Sequence, residues 1–262
     1  MAKSSSTRTF RPSPRLLGVL GGAAFVIAAL MNVPASFLVP VLQKTNGNFT
    51  FQAVSGTIWH GEIKSASLGE IFLGDIGFGL RPLGLFTAQI VSDIDLRGGD
   101  ATGQGRVAYS LLSENATVTK ARGEFNLGAI RQYSLFGVPY QGHIRATIRK
   151  LVISAEGCHG ADSDLWTDIL NASSQRFLGD GLVLVGTANC ADNRLKIDLN
   201  GANGEGKTSV AIAISPDLTY QLNASVDPER PQFQENLQLL GFEEENGTLV
   251  YDAMGALKGA GT

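Results

Sequence analysis

Beyond the first fifty residues, apolar and polar side chains alternate, and that period of two decides what this chain can fold into. In the run HIRATIRKLVIS, Ile144, Ala146 and Ile148 face one way while Arg145, Thr147 and Arg149 face the other. Leu195, Ile197 and Leu199 oppose Lys196 and Asp198 in the same manner, and Leu218, Tyr220 and Leu222 repeat the pattern. Such runs are strands with one buried and one wet face. Glycine-, asparagine- and aspartate-rich breaks at residues 97–100, 192–193 and 201–206 separate them at hairpin spacing, so the expected architecture is mainly β, a large twisted antiparallel sheet. Thirty-two glycines, only 9 prolines and 17% charged residues suit a turn-rich sheet of half-buried strands.

Two short helices are expected to pack on that sheet. Residues 162–177 place Leu165, Trp166, Ile169 and Leu170 on one helical stripe, with Ser163 as an N-cap and Gly179 beyond the end. Residues 233–240 form the second, stopped by Gly241.

The N-terminus reads differently. Leu16 to Val33 carries no charge, Lys3, Arg8, Arg11 and Arg15 precede it, and the first acidic residue is Glu62. Positive flanks stay cytoplasmic and a bilayer core takes about 20 apolar helical residues. The expected division is therefore a cytoplasmic tail at 1–15, a transmembrane anchor at 16–33, a stalk at 34–48 opened by Pro34 and Pro40, and an exported β domain at 49–262. A cleaved signal peptide is the rival, since Val33, Pro34 and Ala35 imitate a cleavage site, but its apolar core runs only about 7–15 residues. Both readings export the remainder. Without the four basic tail residues, 17 Lys and Arg face 24 Asp and Glu, and nothing in that balance invites nucleic acid.

Cys158 and Cys190 lie in the exported part, where an oxidising compartment favours a disulfide. A metal site on Cys158, His159 and Cys190 is the competing reading, but the chain has three histidines and no paired ligand spacing. Trp59 and Trp166 are expected to anchor the core.

The string from Gly201 to Thr208, GANGEGKT, matches a phosphate-binding loop letter for letter. Such a loop opens directly into a helix, whereas SVAIAIS follows here with strand alternation, so a hairpin is expected and no nucleotide. His143 with Arg145, Arg149 and Lys150 reads as a solvated strand face, with an anionic lipid or partner contact as the functional alternative. No nucleophile elbow, no Ser-x-x-Lys and no zinc-protease helix motif is present, so neither an enzyme nor a cofactor nor a metal is expected. The Asn-x-Ser/Thr sequences at Asn48, Asn115, Asn171, Asn223 and Asn246 read as turn formers.

The order of short motifs resembles the type II secretion system protein N family. These are Val54-Ser55-Gly56-Thr57-Ile58-Trp59-His60-Gly61, then Leu80-Arg81-Pro82-Leu83-Gly84-Leu85, Val138-Pro139-Tyr140-Gln141-Gly142, Cys158, the expected helix from Trp166 to Leu170, Gly186 to Cys190, Ser215-Pro216-Asp217-Leu218-Thr219-Tyr220, and Leu239-Leu240-Gly241-Phe242. His60 stands where the resemblance leads one to expect a small or polar residue. The resemblance implies structural roles for Ser55, Gly56, Thr57, Trp59, Gly61, Arg81, Pro82, Leu83, Trp166, Gly241 and Phe242. It also implies a single-pass bacterial inner-membrane protein with a periplasmic domain, a non-catalytic accessory to export of folded proteins whose partners are the bilayer and other secretion subunits. That family is distantly similar to AsmA-like proteins, whose curved sheets hold lipid, so an acyl-lipid-binding or lipid-transfer module is the alternative function.

Overall fold

A computed structural model describes residues 14–40, 49–69, 71–129, 134–135, 138–139, 141–171 and 181–256. Strands β1 (Phe49–Thr50), β2 (Ala53–Gly56), β3 (Gly61–Leu68), β4 (Ile71–Arg81), β5 (Gln89–Arg97), β6 (Ala101–Ser110) and β7 (Ala116–Asn126) lead to a small two-stranded pair, β8 (Ser134–Leu135) and β9 (Val138–Pro139). Then follow β10 (His143–Ser154), β11 (Gly157–Thr167), β12 (Leu184–Ala191), β13 (Arg194–Asn203), β14 (Gly206–Ile214), β15 (Thr219–Pro228), β16 (Glu243–Glu245) and β17 (Thr248–Ala256). Apart from β8 and β9 they make one 15-stranded sheet in which nearly every strand pairs antiparallel with its neighbour in sequence. Helix α1 (Pro14–Met31) precedes the sheet, α2 (Pro82–Leu85) is one turn between β4 and β5, and α3 (Pro231–Leu239) lies between β15 and β16.

Register turns the alternation into two chemically distinct faces. Ile63, Ile76, Leu96, Gly103, Gly123, Ala146, Leu165, Gly186, Leu199, Val210, Ala224 and Tyr251 stand opposite one another in a row across twelve strands. One residue along, the row is Glu62, Gly77, Asp95, Gln104, Arg122, Thr147, Asp164, Thr187, Asp198, Ala211, Asn223 and Asp252. A slip of one residue in any strand would exchange the two, which is why hydrophobicity pins the register. Register shifts at Ile63/Ala66, Gln104/Arg106, Ile148/Lys150 and Val152/Ile153 mark bulges, with Ser65 and Lys120 at positive φ. Bulges bend a strand and increase its twist.

Among the described residues no second layer covers this sheet from end to end. Burial is concentrated in two places on the apolar face. Helix α3 sets Phe233 and Leu237 against Val226, Leu249 and Phe242, while Leu182 closes over Leu184 and Leu199. Toward the N-terminal strands, Ile76, Ile94, Leu96, Ile144 and Ile148 are only half-buried.

Three expectations need correction. The helix over 162–177 is absent at its start: residues 162–167 belong to β11, and residues 172–177 lie outside the described part. Asp162, Asp164 and Trp166 alternate with Ser163, Leu165 and Thr167, and pairing with β10 and β12 together outweighs the helical stripe. The apolar N-terminal helix runs Pro14–Met31 rather than 16–33, because Val33 precedes a proline and so leaves the helical region, and Asn32 caps the helix end through Nδ2 to the Ala28 oxygen at 2.7 Å. Among the described residues no helix is long and apolar enough to cross a membrane. The 18 residues of α1 reach about 27 Å at 1.5 Å each, with Arg15 in the first turn, against a hydrocarbon core of about 30 Å. Of the stalk, residues 41–48 lie outside the described part.

Candidate functional site

The best-defined junction joins α1 to the sheet through the turn between β2 and β3. Gly56 has φ +85°, and a Cβ there would meet the His60 carbonyl at 2.4 Å, so glycine is required for the chain to reverse. The Thr57 amide donates to the His60 carbonyl at 3.0 Å, and its Oγ1 accepts from the His60 amide at 3.3 Å. Behind this turn Ile58 donates to the Val33 carbonyl at 3.0 Å, Pro34 bridges Thr57, and Ala35 is fully buried. The Trp59 indole Nε1 donates to the Leu30 carbonyl at 2.8 Å. That bond adds a second, shorter donor to an oxygen in the last turn of α1 that also accepts from the Val33 amide at 3.4 Å, at a helix end where carbonyls lack the regular intrahelical partner. Trp59 is therefore half-buried at a joint, not a core anchor. At the end of the motif, Gly61 leaves room for the Phe78 ring, whose Cζ would lie 2.3 Å from a Cβ. Ser55 is exposed on β2, a strand that among the described residues pairs only with β3.

Arg81, Pro82 and Leu83 lie at the same end of the sheet. Arg81 Nε and Arg106 Nε both donate to Asp93, each at 2.7 Å. Burial opposes ionisation of Asp93, yet the two guanidiniums hold its carboxyl below the usual carboxylate range. Pro82 opens α2, where its missing N–H costs nothing, and Leu83 is exposed. Arg81, Pro82, Asp93 and Arg106, but not Leu83, border an open concavity of about 1050 Å³ on the polar face that also includes Arg97 and Lys120.

The remaining motif residues sit elsewhere. Trp166 lies on the polar face with the Arg145 guanidinium 4.4 Å above its ring, because register sets it opposite Arg145 and Val185. It too is half-buried rather than a core anchor. Gly241 has φ +94° after α3 and turns Phe242 onto Tyr251, ring centroids 5.3 Å apart. The motif positions thus form a joint, a polar corner and a C-terminal core, not one constellation.

Cys158 and Cys190 are bonded, with Cα atoms 5.4 Å apart. β11 pairs with β12 only from Ser163 to Thr167, so the bridge closes the stretch where that ladder has parted. It joins two strands directly, Cys158 in β11 to Cys190 in β12.

Several features gave no reliable sequence signal. Arg149 clamps both Asp162 and Asp164 across a bulge, its contact to Asp164 Oδ2 being very short, and the aspartates are held below the usual range. Glu205, inside the phosphate-loop-like string, is buried and accepts from Arg230 at 2.8 Å, tying the β13–β14 turn to the start of α3. Residues 201–208 thus form a hairpin. Ser154 Oγ and His159 Nε2 are 2.6 Å apart on an exposed turn, but Oγ already accepts from the Glu156 amide. Among the described residues no cluster of His, Cys, Asp and Glu could hold a metal ion. β16 pairs only with Thr248, Leu249 and Val250, so among the described residues β17 has no strand beside 251–256 on its outer side.

No solved structure matches the chain. A curated relative, the type II secretion system protein N of Vibrio cholerae serotype O1 (strain ATCC 39315 / El Tor Inaba N16961), is 22% identical over 231 residues, covering 84% of this chain and 88% of that protein. A family model described as "Type II secretion system (T2SS), protein N" matches residues 47–251, nearly the whole sheet from β1 into β17. With its motifs distributed as joints and packing points along that sheet, the chain belongs to the type II secretion system protein N family.

Proposed function

We propose that this chain is a non-catalytic accessory component of the type II secretion inner-membrane platform, presenting its sheet in the periplasm to other secretion subunits during export of folded proteins. The observation that carries this reading is the outer side of β17 at residues 251–256, a row of backbone donors and acceptors with no strand beside it among the described residues. A partner strand can add there, with main-chain bonds giving affinity and alternate side chains such as Met254, which is exposed, giving specificity. In this proposal α1 holds the sheet at the inner membrane with Lys3, Arg8, Arg11 and Arg15 on the cytoplasmic side, the short helix being accommodated by local thinning of the bilayer. A photo-crosslinker at position 254 should capture a secretion subunit in cells, and one at exposed Leu239 should not; equal capture at both positions, or none, would sink the edge reading.

The AsmA-like alternative rests on a different observation, the apolar row from Ile63 to Tyr251, in which Ile76 and Leu96 are only half-buried and offer a surface for acyl chains. Mass spectrometry of the purified protein separates the two, since stoichiometric lipid favours the groove and its absence favours the structural role.

A further inference from the structure

Antiparallel pairing puts alternate turns at opposite ends of the sheet, and Trp59 and Ile58 fix the end of α1 to one of them. The same end carries the turns after β4, β6, β10, β12 and β14. These turns differ in chemistry according to their distance from α1. The two nearest are apolar and exposed: Leu83 is 77%, Phe86 88% and Leu112 84% exposed. A main-chain bond from Leu111 to Ala88 at 2.9 Å holds the two tips together. No charged residue occurs between Arg81 and Asp93, or between Arg106 and Glu114. Phe37, beside the α1 joint, is also exposed. The three turns farther along carry Glu156, Asp192 and Asp217 instead.

We propose that Leu83, Phe86 and Leu112, at the tips of the β4–β5 and β6–β7 hairpins, insert into the interfacial layer of the bilayer that receives α1. This rests on the membrane-anchor reading given above. Three observations select a lipid surface over a protein partner. The exposed side chains of α1, Phe25, Val26, Leu30 and Met31, lead to the same end of the sheet. A helix about 3 Å shorter than the hydrocarbon core pulls its attached joint, and the tips beside it, into the headgroup zone. The gradient from apolar to acidic tips fits a sheet that meets the membrane along its first strands and tilts away along its last. Glu114, closing the second tip, limits insertion to the headgroup boundary, about 5–10 Å deep, as for other interfacial segments.

The test uses the full chain reconstituted into phosphatidylethanolamine–phosphatidylglycerol vesicles whose acyl chains carry bromine, a quencher of tryptophan. Phe86→Trp and Leu112→Trp should be quenched, beyond the background of Trp59 and Trp166, roughly twofold more than Leu239→Trp at the opposite end, as that shallow depth implies. Flotation of the chain with the vesicles without excess quenching at 86 and 112 overturns the tip insertion and leaves the anchor standing. Failure to float overturns the anchor and the tip insertion together. Unchanged melting of each variant establishes that its fold is intact.

Discussion

Trp59 holds Leu30: the indole Nε1 donates to a carbonyl of the last turn of α1 at 2.8 Å, across 29 residues of chain. Together with the Ile58 to Val33 bond, this makes the turn between β2 and β3 the socket for the helix. Trp59→Phe keeps an aromatic ring, though a smaller one, and removes the donor, at about 1 kcal/mol for the lost hydrogen bond. Hydrogen exchange at the Ile58 amide should quicken about fivefold while β13 and β14 stay protected. No change at Ile58 would show that the bond does not hold the joint.

Gly61 and Phe78 form a cross-strand pair in which the ring covers the glycine. Gly61→Val drives the ring off its position and should destabilise by about 1–3 kcal/mol. Adding Phe78→Ala should cost less in that background than in the parent, a coupling that a double-mutant cycle of urea unfolding measures.

The bridge between Cys158 and Cys190 closes a 32-residue separation, which the chain-entropy view values at about 3–4 kcal/mol. Cys190→Ser should melt lower than the oxidised parent and together with the reduced parent. Equal melting of all three would assign the bridge no stabilising role.

Glu205 and Lys207 share the phosphate-loop-like string but differ in setting, one buried against Arg230 and the other exposed. Glu205→Ala should lower stability by about 1.5–3 kcal/mol, the range for a hydrogen bond to a charged group, while Lys207→Ala changes nothing. A nucleotide site would reverse that order, with Lys207→Ala abolishing any thermal shift caused by added ATP.

Arg149 donates to Asp162 and Asp164, holding both below their ordinary 3.8. Carboxylates depressed in the folded state contribute stability that is complete above 3.8 and is lost as pH falls through their folded values. Urea midpoints of the parent should therefore drop below pH 3.8, and Asp162→Asn with Asp164→Asn should flatten that limb. All three side chains are exposed, so high salt should shrink the difference.

The parts of the fold legible in the sequence are those where local pattern and tertiary environment agree. Ile144, Ala146 and Ile148 announce an apolar face that the register then continues across the sheet. Asp192 and Asn193, both at positive φ, form the tight turn their identities indicate, and Gly241 stops a helix with its apolar face on Leu249. Residues 162–167 misled because Leu165 and Trp166 fit a helical stripe as well as a strand, and only Arg149 and the two neighbouring strands β10 and β12 resolve the choice. The tryptophans misled for a related reason: size suggests burial, but a donor nitrogen and a flat ring serve equally at a helix end or beneath a guanidinium.

By itself, the sequence determined the period of two, the turns and the separation of apolar from charged side chains, since these follow from backbone geometry and solvation within a few residues. Only the tertiary structure decided which strand lies beside which, and hence that Trp59 reaches Leu30, that Arg149 spans two aspartates, that Glu205 meets Arg230, and that the apolar hairpin tips gather at the end of the sheet where α1 is attached. Those relationships depend on pairing between segments far apart in the chain, where the energy lies in contacts between strands and leaves no trace in the local pattern of either one.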